Sequence, residues 1–560
     1  GGSSVSNASG LVASPPGLGD VTLQAGASLL ASNNQTVAVP NGKSLRIEGD
    51  IAIGQTTTGS TTVGAGRIEL GADIDLDGAT RTVTLGRVQG TAAAAASGGN
   101  VGFRLGTFYS SGSSVSNGVL RIARDPDSAS TNYVGLGFGL STAWYGGSGL
   151  RLATGVVSSF QSGFAFNTSN ALPRVTLESG SILNLSDGGG TARNVQIHSL
   201  SGTGLVANLC TAPTGAVATL TFVGDATLTT NAFDGLIRDR DFALAPLAVN
   251  GTVALVKAGT NSTQILTGSN SYSGPTTINS GTLLIHGDQS AATGGVLVTS
   301  FATLGGTGVI GGAVTVATGG THDPGASPGT QTLATGIVYE TGAVFRWELT
   351  ANATNPPGTA FDRVRLLGGN VTLQTGVTAL VIVNGPGSTV SWIHPFWGST
   401  QRWTVFTAPA APAPASAAVF DSVSVTADAS GVDLAALGGS FTWAVEGTNV
   451  VLVYSPPDPF TVWLYQNFGT NSPTGIAATS ADPDGDTVPN IEEYHAGTNP
   501  LSEMDRMQIR NMRSTPGGYQ FDVDARADRR YDVFRSTTLK AGSWVAVGTT
   551  IHPAPTNRLL

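Results

Sequence analysis

Short runs of alternating apolar and polar residues recur along most of the first 385 positions. Val21-Thr22-Leu23 is followed by Gly26 and Leu29, and Val37-Ala38-Val39 by Gly42 and Leu45. Val175-Thr176-Leu177 leads to Gly180 and Leu183, and Thr277-Ile278 to Gly281 and Leu283. Val296-Leu297-Val298 leads to Phe301, Thr303 and Leu304. Val314-Thr315-Val316 leads to Gly319 and Gly320, and Val371-Thr372-Leu373 to Gly376 and Leu380. Alternation places Val, Leu and Ile on one face and Thr, Ser or Gln on the other, so each unit predicts two short strands around a bend. Glycine at the bend supplies positive φ without steric cost. A spacing of about 20 residues between units, without a helical period, predicts a β-solenoid. One coil cannot bury its apolar face alone, whereas stacked coils bury it and pair all backbone edges but the terminal ones. Residues 100–165 are less regular and richer in aromatics, consistent with wider coils filled by rings.

The pattern changes after residue 385. Trp392, Phe396, Trp397 and Trp403 cluster ahead of a Pro/Ala stretch at 408–414, a stiff extended segment. Strands return over 417–454, and Ser455-Pro456-Pro457-Asp458-Pro459 reads as a linker. Beyond it charged residues and all three methionines, Met504, Met507 and Met512, are concentrated. The predicted organisation is a β-solenoid over 1–385, a β-rich continuation over 386–455, a linker with a metal loop over 456–504, and a small β-sandwich-like module over 505–560, whose continuation past Leu560 by a final strand or a sorting tail is an open question. No long helix is predicted before about residue 488, after which Ile491–His495 reads as one short helix.

Composition narrows the function classes. Only 11% of the 560 residues are charged, against about 25% in an ordinary globular chain. The net charge is −9 and lysine occurs at Lys43, Lys257 and Lys540 alone. Nucleic-acid binding requires a basic stripe that this sequence does not offer, and a polybasic membrane surface is absent for the same reason. No apolar run is long enough to span a bilayer as a helix. The N-terminal Gly1, without a signal peptide, reads as a processed chain. The single cysteine, Cys210, excludes an internal disulfide framework and fits a small buried residue.

Chemistry concentrates in Asp482-Pro483-Asp484-Gly485-Asp486-Thr487-Val488-Pro489-Asn490-Ile491-Glu492-Glu493. Calcium takes six to eight hard oxygen ligands, and positions 1, 3, 5, 9 and 12 of an EF-hand-like loop fall on Asp482, Asp484, Asp486, Asn490 and Glu493, with the Val488 carbonyl at position 7. Thr487 stands where an EF-hand has glycine. Trp392, Trp397 and Trp403 are a weaker candidate, a platform on which sugar rings of a surface polysaccharide stack. Asp73, Asp75 and Asp77 with Arg81, and Asp239 and Asp241 with Arg238 and Arg240, are the carboxylate clusters from which a polysaccharide lyase or hydrolase would be built. The histidines show no metal spacing. The sequon Asn34-Gln35-Thr36 is an open question of glycosylation.

Leu266-Thr267-Gly268-Ser269-Asn270-Ser271-Tyr272-Ser273-Gly274-Pro275-Thr276-Thr277-Ile278-Asn279-Ser280-Gly281-Thr282-Leu283 resembles the autotransporter-associated β-strand repeat of bacterial surface proteins. Leu304–Gly312 and Asp323-Pro324-Gly325-Ala326-Ser327-Pro328-Gly329-Thr330 continue that resemblance, as do Phe396-Trp397 and Trp403–Phe406. It implies a right-handed parallel β-helix, secreted or exposed on a Gram-negative-type cell surface. It implies no single activity. The residues after Ser455 are too few for the membrane barrel of a full autotransporter. The segment 482–493 resembles thrombospondin type 3 and dockerin-like calcium loops. Together these features favour a non-enzymatic structural protein whose copies associate into a fibre, sheath or surface layer. An adhesin that binds glycans is the alternative, and a carbohydrate-active enzyme the third.

Overall fold

Parallel strands in long stacks build the first part of the molecule, and few helices interrupt them. This computed structural model describes residues 251–412 and 420–516 without a break, most of 148–239 and 518–551, and chiefly the strand segments before residue 148. It divides into two units: Gly1–Pro386, Trp403–Ser424 and Trp443–Leu452 form the first, and Gly387–Arg402, Val425–Thr442 and Val453–Leu560 the second.

Successive coils of the first unit each give one strand to each of several parallel sheets. One stack runs Ser262–Leu266, Gly281–Ile285, Ala302–Gly306, Thr321–Pro324, Val344–Glu348 and Thr378–Ile382. A second has eight strands, from Asn194–Ile197 to Val371–Leu373. A third includes Asp288–Gln289, Val309–Ile310, Thr330–Leu333 and Arg363–Leu366. This is the architecture of the solenoid that the alternating pattern predicts. The register keeps side chains of one kind together: Phe222, Lys257, Ile278, Val298, Val316, Tyr339 and Leu373 follow one another inward, coil upon coil. Fully burying such an aliphatic or aromatic side chain contributes about 1.5–3 kcal/mol. In the aromatic-rich region Phe138 stacks on Phe160 of the neighbouring coil at 5.0 Å.

The bends follow the sequence closely. Gly281, Gly319, Gly342 and Gly376 all take positive φ at the third residue after an inward strand position. Phe301 occupies the equivalent place with φ 64 and is 88% exposed. A Cβ in this conformation costs roughly 1–2 kcal/mol, and the exposed ring recovers little of it by burial.

Two titratable side chains inside the solenoid, Lys257 and His322, are held by hydrogen bonds from within it. Lys257 is 1% exposed. Its ammonium donates to Gly259 O (2.7 Å), Ser262 Oγ (2.7 Å) and Ser280 O (3.3 Å). Burial pushes it down to about 8. His322 is fully buried between Tyr339 Oη (2.5 Å) and Gln331 Oε1 (2.6 Å). A carboxamide oxygen only accepts, so Nε2–H donates to Gln331 and Nδ1 accepts from the tyrosine. Gln331 Nε2 then donates to Gly305 O at 2.9 Å, closing the network. Cys210 is buried, as a small core residue.

The second unit contains two helices that the sequence reading did not place. Pro459–Phe468 lies in the segment read as a linker. Asp458 caps it through Phe460 N, proline occupies its first turn, and Gly469 ends it with φ 67. The four-residue helix Leu434–Leu437 is capped by Asp433 and ended by Gly438. The helix Asn490–Ala496 begins within the metal-loop segment and spans the predicted short helix Ile491–His495. Ile509–Thr515 pairs antiparallel with Gly518–Val523, and Arg530–Arg535 with Val545–Ile551, as two separate two-stranded sheets. Among the described residues no helix is long and apolar enough to cross a membrane.

Candidate functional site

The loop 482–493 folds around its own carboxylates. Asp482 accepts from Gly485 N and Thr487 N, both at 2.9 Å. Asp484 Oδ1 accepts from Asp486 N (3.2 Å), and Asp486 Oδ1 from Val488 N (2.8 Å). Gly485 and Thr487 take φ 78 and 75. Thr487 therefore adopts the left-handed turn that glycine supplies at the sixth position of an EF-hand, at a strain cost of about 1–3 kcal/mol. Carboxylate oxygens of Asp482, Asp484 and Asp486 lie within 4.8 Å of one another.

The end of the loop is pinned to the helix. Asn490 N donates to Ala481 O (2.9 Å), and Asn490 Nδ2 donates to Ile476 O (2.9 Å) and Ala478 O (2.8 Å). Glu493 is fully buried and its Oε1 accepts from Thr498 Oγ1 at 3.1 Å. Burial first, and then Asp484, Asp486 and Asp482, push the Glu493 carboxyl up to about 7. Asp484 Oδ2, Asp486 Oδ2, Asn490 Oδ1 and Glu493 Oε2 are buried and receive no hydrogen bond. Leaving a buried polar atom unmatched costs about 1–3 kcal/mol, more for a charged group. All four atoms are acceptors, so the deficit is one of positive charge or of donors. Hard oxygens from three aspartates, one asparagine and one glutamate fit a calcium ion. Val488 lies in the same loop, its amide held by Asp486.

The loop connects to the packing of the second unit through Tyr494. Its ring meets Phe460 at 5.0 Å and Trp463 at 5.8 Å, on the helix Pro459–Phe468. The Arg529 guanidinium also lies over the Tyr494 ring, 5.3 Å from its centroid. Tyr531 Oη donates to Ala496 O at 2.8 Å, tying the second hairpin to the end of the same short helix. The sequence reading missed Thr498 as the partner of Glu493, although Gly497-Thr498-Asn499-Pro500 begins only four residues after Glu493.

The tryptophans do not form an open platform. Trp392, Trp397 and Trp403 are 2%, 2% and 0% exposed. Trp392 packs edge-on to Trp397 at 4.5 Å, and Trp397 meets Tyr454 at 4.8 Å. Trp403 packs on Trp347 at 5.7 Å and donates its indole N–H to Ala353 O at 2.9 Å. Protein rings already cover these faces, so a sugar could stack there only by displacing core side chains.

The carboxylate clusters are structural where they are described. Asp75 Oδ1 accepts from Asp77 N (3.0 Å), and Arg81 Nη2 reaches Asp77 Oδ2 at 3.5 Å across a tight bend. Asp239 accepts from Val253 N (2.8 Å) and Ser273 N (2.9 Å), joining neighbouring coils. The Asp73 side chain, Arg240 and Asp241 lie outside the described residues, as do Lys43 and the sequon position Asn34.

Comparison with known proteins bears on the repeat region. The family described as Passenger-associated-transport-repeat matches residues 255–285. The adhesin BmaC autotransporter of Brucella suis biovar 1 (strain 1330) is 52% identical over 77 residues. That match covers 14% of this chain and 2% of the relative. The chain thus carries an autotransporter passenger-type repeat, set within the stacked coils described above.

Proposed function

We propose that this chain is part of a non-enzymatic passenger, secreted or displayed on the surface of a Gram-negative-type bacterium, that acts as an adhesin. In this reading the solenoid is a self-sufficient rod and calcium orders the second unit. The observation that carries the adhesive role is the passenger-type repeat at 255–285, within a stack of parallel coils and similar to an autotransporter adhesin. In this reading the stacked apolar coils fold without a ligand and leave their outer faces for contact. The adhesive role is tested by measuring retention of the purified chain on a panel of host-cell surfaces, matrix proteins and glycans. Saturable retention supports it, and no retention anywhere removes it.

Asp482, Asp484, Asp486, Asn490, Glu493 and the Val488 carbonyl would hold the calcium. Bound there, the ion would supply positive charge to the buried acceptors and fix the helix that carries Tyr494.

A second reading, self-association into fibres or a sheath, is favoured by apolar surface on the second unit. Met504, Ile509, Met512, Trp544 and Val545 are all at least half exposed. Exposed apolar clusters of this kind mark contact surfaces. Sedimentation of the chain at rising concentration, with calcium, tests this reading: larger species support it and a constant monomer removes it.

A further inference from the structure

A cleft on the outer face of the solenoid has the form of a built binding site, and neither the repeat nor the metal loop accounts for it. It encloses about 430 Å³, within the range of small-ligand pockets. Leu284 and Ile382 line its apolar sides, and Asp323, Ser327, Arg346 and Glu348 supply the polar ones. These residues come from distant parts of the chain. The parallel register sets Asp323 and Arg346 on coils that pair His322 with Phe345, and aligns Glu348 with Ile382 on the next.

The polar groups are held in place. Arg346 Nη1 meets Asp323 Oδ2 at 2.7 Å, and Ser327 Oγ donates to Glu348 Oε1 at 2.9 Å. The loop from Asp323 to Gly329 forms one wall. Ser327 takes φ 68 there, a conformation in which a residue with a Cβ persists only where its surroundings enforce it. Asp362, 1% exposed, supplies that enforcement. Its two oxygens accept from Gly329 N (2.7 Å) and Glu348 N (2.9 Å), binding the root of the loop to the strand behind it. Two glycines leave room. A Cβ on Gly385 would fall 1.8 Å from Glu348 Oε1, and one on Gly305 would fall 2.9 Å from the end of Leu284. The carboxylate is therefore seated against bare backbone, in a pocket shaped before any ligand arrives.

We propose that this cleft binds one or two sugar rings of a neutral or amino glycan. The proposal rests on the adhesive reading and locates its ligand. Carboxylates accept hydroxyl and ammonium hydrogen bonds, a guanidinium donates to ring and hydroxyl oxygens, and Leu284 and Ile382 cover the C–H face of a pyranose. Two carboxylates against one guanidinium leave the cleft negative. Uronic, sialylated and sulfated glycans are disfavoured on that ground.

The test uses the full chain on an array of neutral, amino and acidic oligosaccharides, followed by calorimetric titration with the oligosaccharide retained best. Glu348→Gln keeps the shape and removes a charge, and Ile382→Trp fills the cleft from its wall. The expected result is retention of neutral or amino glycans and at least a tenfold loss of affinity in both variants, with their thermal unfolding unchanged. Preference for acidic glycans, equal binding by both variants, or no retained glycan would each overturn the proposal. Retention on cell surfaces separates the two readings. If both variants still adhere like the parent chain, the cleft assignment falls and the adhesive role stands, whereas no adhesion by the parent chain removes the adhesive role itself.

Discussion

The solenoid and the second unit differ in where they leave buried polar atoms unmatched: the solenoid leaves single atoms on separate residues, Asn270 Nδ2, Gln289 Nε2, Thr335 Oγ1 and Arg363 Nε, and the loop 482–493 gathers four acceptors in twelve residues. Inside the solenoid, Lys257 finds three acceptors and His322 is flanked by Tyr339 and Gln331. Each network closes on backbone or on a neighbouring coil. In the loop 482–493 the local amides satisfy one oxygen of Asp484 and one of Asp486, and buried acceptors on Asp484, Asp486, Asn490 and Glu493 remain. A stack of coils can place a partner wherever the register brings two side chains together. The loop brings together Asp482, Asp484, Asp486 and Glu493, and its own N–H groups with Thr498 Oγ1 leave four acceptors unmatched. In the proposed reading the rod therefore folds without a ligand, and the second unit depends on the cation.

The largest effect that would sharpen this contrast is a core deletion in the rod. Trp347 is fully buried, packs on Phe361 and Trp403, and donates to Asp362 O at 2.8 Å. Trp347→Ala should destabilise the first unit by about 3–5 kcal/mol. Chemical denaturation would measure the loss, and calcium affinity should not change.

The converse variant is Glu493→Gln. It removes the most deeply buried charge of the loop, and calcium affinity should fall at least about tenfold by calorimetry. With a chelator present the sign should reverse, because the variant relieves repulsion among crowded carboxylates and the second unit should melt higher than the parent. A variant that lowers stability with and without calcium would break the contrast.

Lys257 gives a pH signature to the rod. Its ordinary value of 10.5 falls to about 8 on burial. Between these values the unfolded chain binds the proton that the folded chain has released, so this residue makes stability rise with pH across that window. Below about pH 8 both states are protonated and its cost is constant. Urea denaturation of the parent and of Lys257→Met from pH 7.5 to 10.5 should show the rise in the parent alone. Parallel pH curves would contradict it.

The smallest effect concerns the one bend built on phenylalanine. Phe301→Gly should raise the stability of the rod by about 1 kcal/mol, read as a higher melting temperature. A loss instead would mean that the exposed ring has a packing role.

The rod was legible in the sequence because its rules are local. A period of two sets the buried face, and a residue at positive φ three places after the last inward residue, most often glycine, sets the bend. Thr487 and Phe301 were also visible as departures from glycine, and both take positive φ. The helix Pro459–Phe468 was missed although Asp458-Pro459 and Gly469 mark its ends. Its apolar residues Phe460, Trp463, Leu464 and Phe468 follow a helical spacing, but the prolines before it read as a linker. The tryptophan cluster misled for a different reason. Residue type alone cannot distinguish a ring that faces a ligand from one that faces Tyr454 or Trp347. The metal-loop residues were adjacent in sequence and easy to find. Asp323, Arg346 and Glu348 share a cleft only because the coils stack, and no sequence spacing announces that.

The central claim, a self-sufficient rod joined to a calcium-dependent unit, is tested most directly by hydrogen exchange of the full chain with calcium and with a chelator. The account predicts that calcium slows exchange in residues 482–498 and in the helix Pro459–Phe468, and leaves the strands from Ser262 to Ile382 unchanged. Equal exchange in the loop under both conditions, or protection gained mainly in the solenoid, would contradict it.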